Sequence, residues 1–347
     1  MKKSLLALAV LGAFAGVASA QSSVTLYGTV DLNGRYIKNS GSSGRYSMGQ
    51  DGINSSQLGF RGIEDLGGGL KASFVLLSGV NADTGSANGK FFNRRSTVSI
   101  SGGFGEVRLG RDYVPTFWNN TLFDPFGTNG LGDSSHVLQL TTPTFVRADN
   151  AVQYFLPSNI GGFYGQVMAA AGEGGPSTAT GGNINPSRYL SGRIGYAAGP
   201  FDIAFAADQQ RNVTGPSQKA YNIAGSYDFS VVKIMGFYQR DELDDFRENR
   251  FNVGAVVPLG QFEIHAAYSR SKLDGGVIDN NVVDQWALGG VYNLSKRTAF
   301  YGTVARLSND NQSNRALTST GNGTSGAALP TLGGKSSGGE FGIRHFF

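Results

Sequence analysis

Strict alternation of apolar and polar residues is what most constrains this chain. In VTLYGTVDLNGRY, Val24, Leu26, Val30 and Leu32 fall on one side, with Gly28 among them, while Thr25, Tyr27, Thr29, Asp31, Asn33 and Arg35 fall on the other. Successive side chains of a strand point to opposite faces, so the segment has one apolar and one polar face. FDIAFAAD sets Phe201, Ile203 and Phe205 against Asp202, Ala204 and Asp208. RFNVGAVV sets Phe251, Val253, Ala255 and Val257 against Asn252, Gly254 and Val256, and QFEIHAAYS sets Phe262, Ile264, Ala266 and Tyr268 against Glu263, His265 and Ser269. About sixteen such segments can be placed, most near ten residues long, the length a tilted strand needs to cross a bilayer. They start near Val24, Asn54, Gly69, Phe92, Glu106, Arg147, Phe163, Arg188, Phe201, Gln218, Val231, Glu248, Gln261, Val282, Arg297 and Ser337. AFYGTVARL and VVKIMGFYQ alternate poorly.

The connections are of two kinds. EDLGGG, SGGFGE, PSNIGG, AAGP, DFSV, PLGQ and NLSKR are short, and most are rich in Gly, Pro, Asn and Asp, as hairpin turns demand. Residues 37–53, 80–91, 172–187 and 308–336 are long and polar. Tight turns on one side and long loops on the other describe a barrel in an outer membrane.

The two faces decide what surrounds the barrel. A soluble sandwich buries its apolar faces around large hydrophobic residues, whereas a membrane barrel turns them to lipid and keeps a wet interior. Hydrophobic residues are only 40% of the chain, and the polar faces carry many Asp, Glu, Lys and Arg. MKKSLLALAVLGAFAGVASA has a basic start, an apolar middle and a small-residue end, so residues 1–20 are expected to be a cleaved secretion signal. No later window has the apolar length of a spanning helix. Cysteine is absent, which excludes disulfides and thiolate metal sites. The formal charge of +4 drops to +2 without Lys2 and Lys3, and charges of both signs are scattered, so nucleic acid is not an expected partner. The expectation is an all-β antiparallel transmembrane barrel over residues 21–347, with water inside.

One segment breaks the rhythm. RDYVPTFWNNTLFDPFGTNGLGDSSHVLQLTTPTF, within residues 111–146, is too long for a hairpin and carries Phe117, Trp118, Phe123, Pro125 and Phe126. Long loops without regular structure tend to be functional. A freely solvated loop has no need of those rings, so the expectation is a segment that folds into the lumen and narrows it; the alternative is an ordinary external loop with an aromatic cap.

Several stretches together resemble the general porins of Gram-negative outer membranes, most closely the beta-proteobacterial type. They are SSVTLYGTVDL, SSQLGFRGIEDLGGGLKASF, FNRRSTVSISGGFGEVRLGRDY, FDPFGT, VRADNAVQYFLP and the final GIRHFF. The resemblance covers essentially the whole mature chain. It implies a sixteen-stranded barrel, a homotrimer, an inward-folded third loop, passive diffusion of small hydrophilic solutes and ions, and no cofactor or catalysis. It also implies a constriction where wall arginines face loop carboxylates, a transverse field that filters solutes. By motif, Arg94, Arg147 and Arg61 match wall cations, and Asp124 in FDPFGT is the foremost loop carboxylate, with Asp112 and Asp133 behind it. Gln57 stands where the family usually has another arginine, and Val75 and Leu77 replace positions that are often Gln and Glu. A less charged constriction and a mild anion preference are therefore expected. Gln57, Gly59 and Arg61 share a face, as required. On the next arginine pair, alternation puts Arg95 with Thr97 and Ser99 on the polar side, whereas the resemblance favours Arg94; a bulge or a subunit-buried outer face would have to explain Arg95.

Two further readings stay beside the diffusion channel. A substrate-selective porin would want an aromatic ladder or a dense basic track, and neither stands out. A barrel hydrolase would have to use His265 with Glu263 and Ser269, but alternate positions on one strand do not form a triad. His136, His265 and His345 have no metal-ligand spacing. EDLGGGLK and SGGFGE lack the ending of a phosphate loop and read as turns, and DELDDF near Asp241 reads as a solvated external loop. In GEFGIRHFF, Phe341, Ile343, His345 and Phe347 form a lipid-facing row, with His345 placed near the interface, opposite Glu340, Gly342, Arg344 and Phe346. This last strand is expected to pair with the one near Val24 and close the barrel. The resemblance implies that Phe347 is read by the outer-membrane assembly machinery. Membrane lipid and lipopolysaccharide are the remaining expected partners.

Overall fold

The computed structural model describes residues 23–87, 89–140, 146–171, 188–211, 217–276, 278–310, 312–318 and 328–347. The expected secretion signal, the loop 172–187 and part of 308–336 lie outside them. The first strands are β1 (Ser23–Asn39), β2 (Arg45–Gln50), β3 (Gln57–Gly67), β4 (Leu70–Asn81), β5 (Ser86–Ala87) and β6 (Arg95–Gly102). Next come β7 (Gly105–Tyr113), β8 (Arg147–Phe155), β9 (Phe163–Ala171), β10 (Arg188–Ala198), β11 (Phe201–Arg211) and β12 (Gln218–Asp228). The chain finishes with β13 (Lys233–Leu243), β14 (Phe246–Leu259), β15 (Phe262–Gly275), β16 (Ile278–Asn293), β17 (Thr298–Asn309) and β18 (Lys335–Phe346). Two of these, β2 and β5, are short pieces inside the expected long loops 37–53 and 80–91; the other sixteen are the wall. Every wall strand begins within a few residues of its expected start.

Neighbouring wall strands pair antiparallel, and the ring closes where β1 meets β18, with Leu32 opposite Ile343 and Arg35 opposite Glu340. The other edge of β1 is shared: β3 pairs with its first part and β2 with its later part. Asp31 holds the kink between β2 and β3, accepting from the backbone N–H groups of Gly52, Ile53 and Asn54 at 3.1, 3.0 and 2.9 Å. Among the described residues the sixteen wall strands close on themselves, without a free edge to the ring.

The faces sort as alternation requires. Val24 and Leu26 are 68% and 54% exposed, while Thr29, Asp31, Asn33 and Arg35 are buried. Phe201, Ile203 and Phe205 are exposed and Ala204 is buried. An apolar skin around a polar interior suits lipid outside and water inside. At the β3–β4 turn, Gly67, Gly68 and Gly69 all have positive φ, which only glycine adopts three times running without strain.

Two irregular strands have a physical cause. On β17, Tyr301 points inward because its hydroxyl bonds Asp31, and Asn33 donates to it at 3.1 Å. On β13, Phe237 points inward and packs with Phe123 of the long segment. The interior is therefore not polar everywhere. Ile37, Phe126, Leu131, Val137, Val283 and Leu307 belong to one buried cluster inside the ring. Asp241 corrects an expectation: it lies in β13, buried, with its carboxylate 3.5 Å from Arg250, and is no loop residue.

Candidate functional site

The segment after β7 leaves the wall through Val114, which is fully buried and bonds Val146 across the exit. Pro115 then opens a short helix, α1 (Pro115–Leu122), a position where its missing N–H costs nothing. Thr116 donates to Asp208 of β11 at 2.7 Å, Asn119 donates to Asn222 of β12 at 2.8 Å, and Arg193 of β10 donates to Asn119 at 2.5 Å. Ala204 and Ala224, small side chains on the wall, leave room for Phe123.

Beyond the helix the segment meets the other side of the ring. His265 of β15 donates through Nδ1 to the carbonyl of Pro125 at 2.7 Å. Gly130 donates to the Asp51 carbonyl at 2.7 Å, and Leu131 N–H donates to Glu340 of β18 at 2.9 Å. Gln285 of β16 donates to the carbonyls of Leu131 and Asp133. Glu248 of β14 accepts from the N–H groups of Gln139 and Leu140 at 2.9 and 2.7 Å. The segment is thus bonded to the polar faces of β10–β12 and then of β14, β15, β16 and β18. None of these bonds reaches β3, β4 or β6.

Those uncovered strands carry the arginines. Leu77 lies opposite both Gly59 and Arg95, so Arg95 belongs to the inward row with Gln57 and Arg61. It donates to Thr97 at 3.2 Å and pairs with Asp112 at 3.4 Å. Arg94 precedes β6, in a bend outside the alternation, and its guanidinium reaches the Tyr113 hydroxyl at 3.1 Å. Arg147 donates to the same oxygen at 2.7 Å and stacks over the Tyr113 ring at 4.3 Å. Arg95 thus stands on the inward row and Arg94 reaches Tyr113 from the bend before it, without a bulge on β6. Phe117 lies nearly parallel to the Tyr113 ring, 5.4 Å away, and Trp118 meets that ring edge-on. Arg108 extends the row, pairing with Asp112 at 2.6 Å and Glu106 at 2.9 Å.

The expected residues fall into three groups. Arg94 and Arg147 meet on Tyr113. Gln57 lies opposite Thr29 and Gly79, and Arg61 is exposed, 5.4 Å from the Tyr27 ring, so these two line the wall away from that meeting point. Val75 lies opposite Arg61 and Thr97 on the same inward row. Asp124 is the departure: it is 4% exposed, and its carboxylate accepts from the N–H groups of Phe126, Thr128 and Ser134 in its own segment. Burial is the main cause that raises its pKa to about 6. Asp133 likewise bonds Ser135, through both N–H and hydroxyl. Asp112 sits on the wall with Arg95 and Arg108 rather than facing them from the loop. The loop carboxylates thus serve the loop's own fold. D-P-F-G-T is a turn sequence whose leading Asp bonds the following N–H groups, a signal that the sequence does carry.

Other residues emerge only from the structure. Arg108 lies in the polar row of β7 with Glu106 and Asp112, and alternation could have found it. Tyr113 has the opposite parity and follows a register irregularity between Gly110 and Asp112, so alternation does not point to it. Arg35 and Glu340, a fully buried pair at 2.6 Å, show no local signal because their positions are 305 residues apart. His136 is fully buried, and burial is the main cause that lowers its pKa to about 4. The grouping of His265, Glu263 and Ser269 does not assemble: Ser269 bonds Asn252, while His265 faces Pro125 and Glu263.

Comparison with known proteins places this geometry in a family. A family model described as Gram-negative porin matches residues 7–312. Outer membrane porin protein 32 of Delftia acidovorans is 40% identical over the full length of both chains. An outer membrane porin protein of Bordetella pertussis is 30% identical, over 87% of this chain and 93% of that one. Among solved structures, the anion-selective porin from Comamonas acidovorans aligns with a TM-score of 0.81 at 37% identity, over 94% of this chain and 100% of that chain.

Proposed function

The chain belongs to the Gram-negative porins, passive diffusion channels of the outer membrane, and from that premise we propose that its lumen prefers anions weakly. The carrying observation is an asymmetry of charge. Asp124 and Asp133 bond within their own segment, whereas Arg61, Arg94, Arg95, Arg108 and Arg147 line or reach the side of the ring that the segment leaves uncovered. Wall carboxylates Glu106 and Asp112 offset part of that charge, which is why the preference is weak. Charges along a narrow low-dielectric passage act strongly on what passes. The similar porin from Comamonas acidovorans is anion-selective, which points the same way.

In this reading residues 111–146 form the constriction, with Arg94, Arg147, Arg61 and Gln57 on its wall side and Asp124 shaping the loop rather than the field. Residues 1–20 are removed on export, the barrels assemble as a homotrimer amid membrane lipid and lipopolysaccharide, and Phe347 is read during assembly. The protein transports without turnover or cofactor. In a planar bilayer under a KCl gradient, the reversal potential should have the sign of an anion-preferring pore. Replacing Arg94 and Arg147 by Gln should move it toward zero. A cation-preferring wild type, or a double variant with unchanged potential, would overturn the assignment.

A further inference from the structure

The inward row of β4 is not polar throughout. Val75 and Leu77 stand on it between Ser73 and Gly79, Val75 half-buried and Leu77 9% exposed. A water-filled wall calls for polar side chains at both places. Their neighbours extend the patch. Gly59 of β3 lies opposite Leu77 on one side and Tyr27 of β1 on the other. A β-carbon at Gly59 would meet Leu77 Cδ1 at 2.7 Å and the Tyr27 ring at 2.8 Å, so the two side chains close over the glycine. Tyr27, Leu77 and Val75 thus form one apolar floor, on the part of the wall that the long segment leaves uncovered.

Two guanidiniums bracket that floor. Arg61 lies opposite Val75, 5.4 Å from the Tyr27 ring, and Arg95 lies opposite Leu77, one row nearer the external end. They differ in what they already hold. Arg95 donates to Thr97 and pairs with Asp112, and Arg108 is taken by Glu106 and Asp112. Arg61 is exposed and makes no hydrogen bond or ion pair among the described residues. Asp65, further along the inward row of β3, stands opposite Lys71 and accepts from Gly67 N–H at 2.9 Å.

A free guanidinium is a fork that fits one carboxylate. An apolar floor beside it favours an apolar body on the same solute, by removing that surface from water. Chloride can use only the first and a neutral solute only the second. We propose that Arg61 and the floor of Tyr27, Leu77 and Val75 form a subsite for monocarboxylates with an apolar body, taken by the pore ahead of hydrophilic anions of the same charge. This rests on the anion-preferring reading above and names the class of solute that it serves.

The test is block of the chloride current through single channels at neutral pH. Benzoate should block saturably, with a half-blocking concentration about tenfold below that of gluconate, a polar carboxylate; this is the scale of about two buried methylenes. Benzyl alcohol, the same ring without the charge, should not block at those concentrations. Arg61→Gln should raise the half-blocking concentrations of benzoate and gluconate alike, by about tenfold. Val75→Thr, which keeps the shape and replaces a methyl by a hydroxyl, should raise only that of benzoate, by about threefold. The wild-type reversal potential in a KCl gradient is read on the same membranes. Equal block by benzoate and gluconate in an anion-preferring wild type would overturn the subsite and leave the channel reading standing, whereas a wild type without anion preference would remove both. Unchanged benzoate block in Arg61→Gln, or benzyl alcohol blocking as strongly as benzoate, would also overturn the subsite.

Discussion

Phe347 exchanges two backbone hydrogen bonds of 3.1 Å with Gly28, and its ring lies where a side chain at position 28 would stand. The last residue of the sequence is thereby fitted onto the first wall strand, one position beyond the Thr29–Phe346 pair. A β-carbon on residue 28 would collide with the ring, so the glycine in the lipid-facing row of β1 is a seat for the phenylalanine. Gly28→Leu is expected to destabilise the closed barrel by about 1–3 kcal/mol, the usual scale of overpacking. The heat-induced mobility shift on a gel should then occur at a lower temperature; an unchanged shift would show that the ring moves aside freely.

Tyr113 accepts from two guanidiniums at once. Tyr113→Phe keeps the ring contact with Arg147 and Phe117 but removes the shared acceptor, a loss of about 1.5–3 kcal/mol for charged hydrogen bonds. The arginines should spread over more positions. Anion preference should therefore fall, but by less than in the Arg94→Gln, Arg147→Gln double variant. Reversal potentials measured on all three proteins decide it, and a Tyr113→Phe channel identical to wild type would remove Tyr113 from the constriction.

The buried pair Arg35–Glu340 also docks the long segment, since Glu340 accepts from Leu131 N–H. Glu340→Gln leaves the Arg35 guanidinium buried without its counter-charge, which typically costs about 3–5 kcal/mol. Open-channel current noise should rise as the segment loosens. Replacing both partners together, Arg35→Met with Glu340→Leu, should recover much of the stability. If the double replacement is no better than Glu340→Gln in urea unfolding, the pair is not the cause.

Asp124 gives a pH dependence with a definite sign. Its native pKa, near 6, exceeds the value of about 3.9 expected unfolded, so between those values the native state binds the extra proton. Stability relative to Asp124→Asn should then fall as pH rises from about 4 to about 6, by roughly 1.4 kcal/mol per pH unit across that window, and stay level above it. Urea midpoints of the two proteins across this range provide the check; a difference growing with pH would reverse the assignment.

The wall is legible in the sequence because lipid tolerates no polar row and a strand shows its two faces at a period of two. The same rule explains where legibility ends. Tyr301 and Phe237 blur the alternation because the interior opposite them is occupied, one by Asp31 and the other by Phe123. Alternation places Arg95 on the inward row but says nothing of Arg94, because it assigns faces only once a strand has begun, and β6 begins between them. Asp124 is recognisable as a loop carboxylate, yet its bonds to Phe126, Thr128 and Ser134 make it part of a turn. The Arg35–Glu340 contact depends on ring closure, which no short window contains.

The long segment also has a mechanical consequence. A thin-walled tube resists stretching along its length far better than flattening across it, because flattening only has to bend the sheet between strands. Thr116, Asn119, Pro125, Leu131 and Gln139 are fastened to widely separated strands, so the segment acts as a tie-rod set across a hoop. Lateral pressure from the bilayer must break several of these bonds together before the section becomes oval. The shape of the aperture is thereby protected from the thickness and tension of the membrane around it.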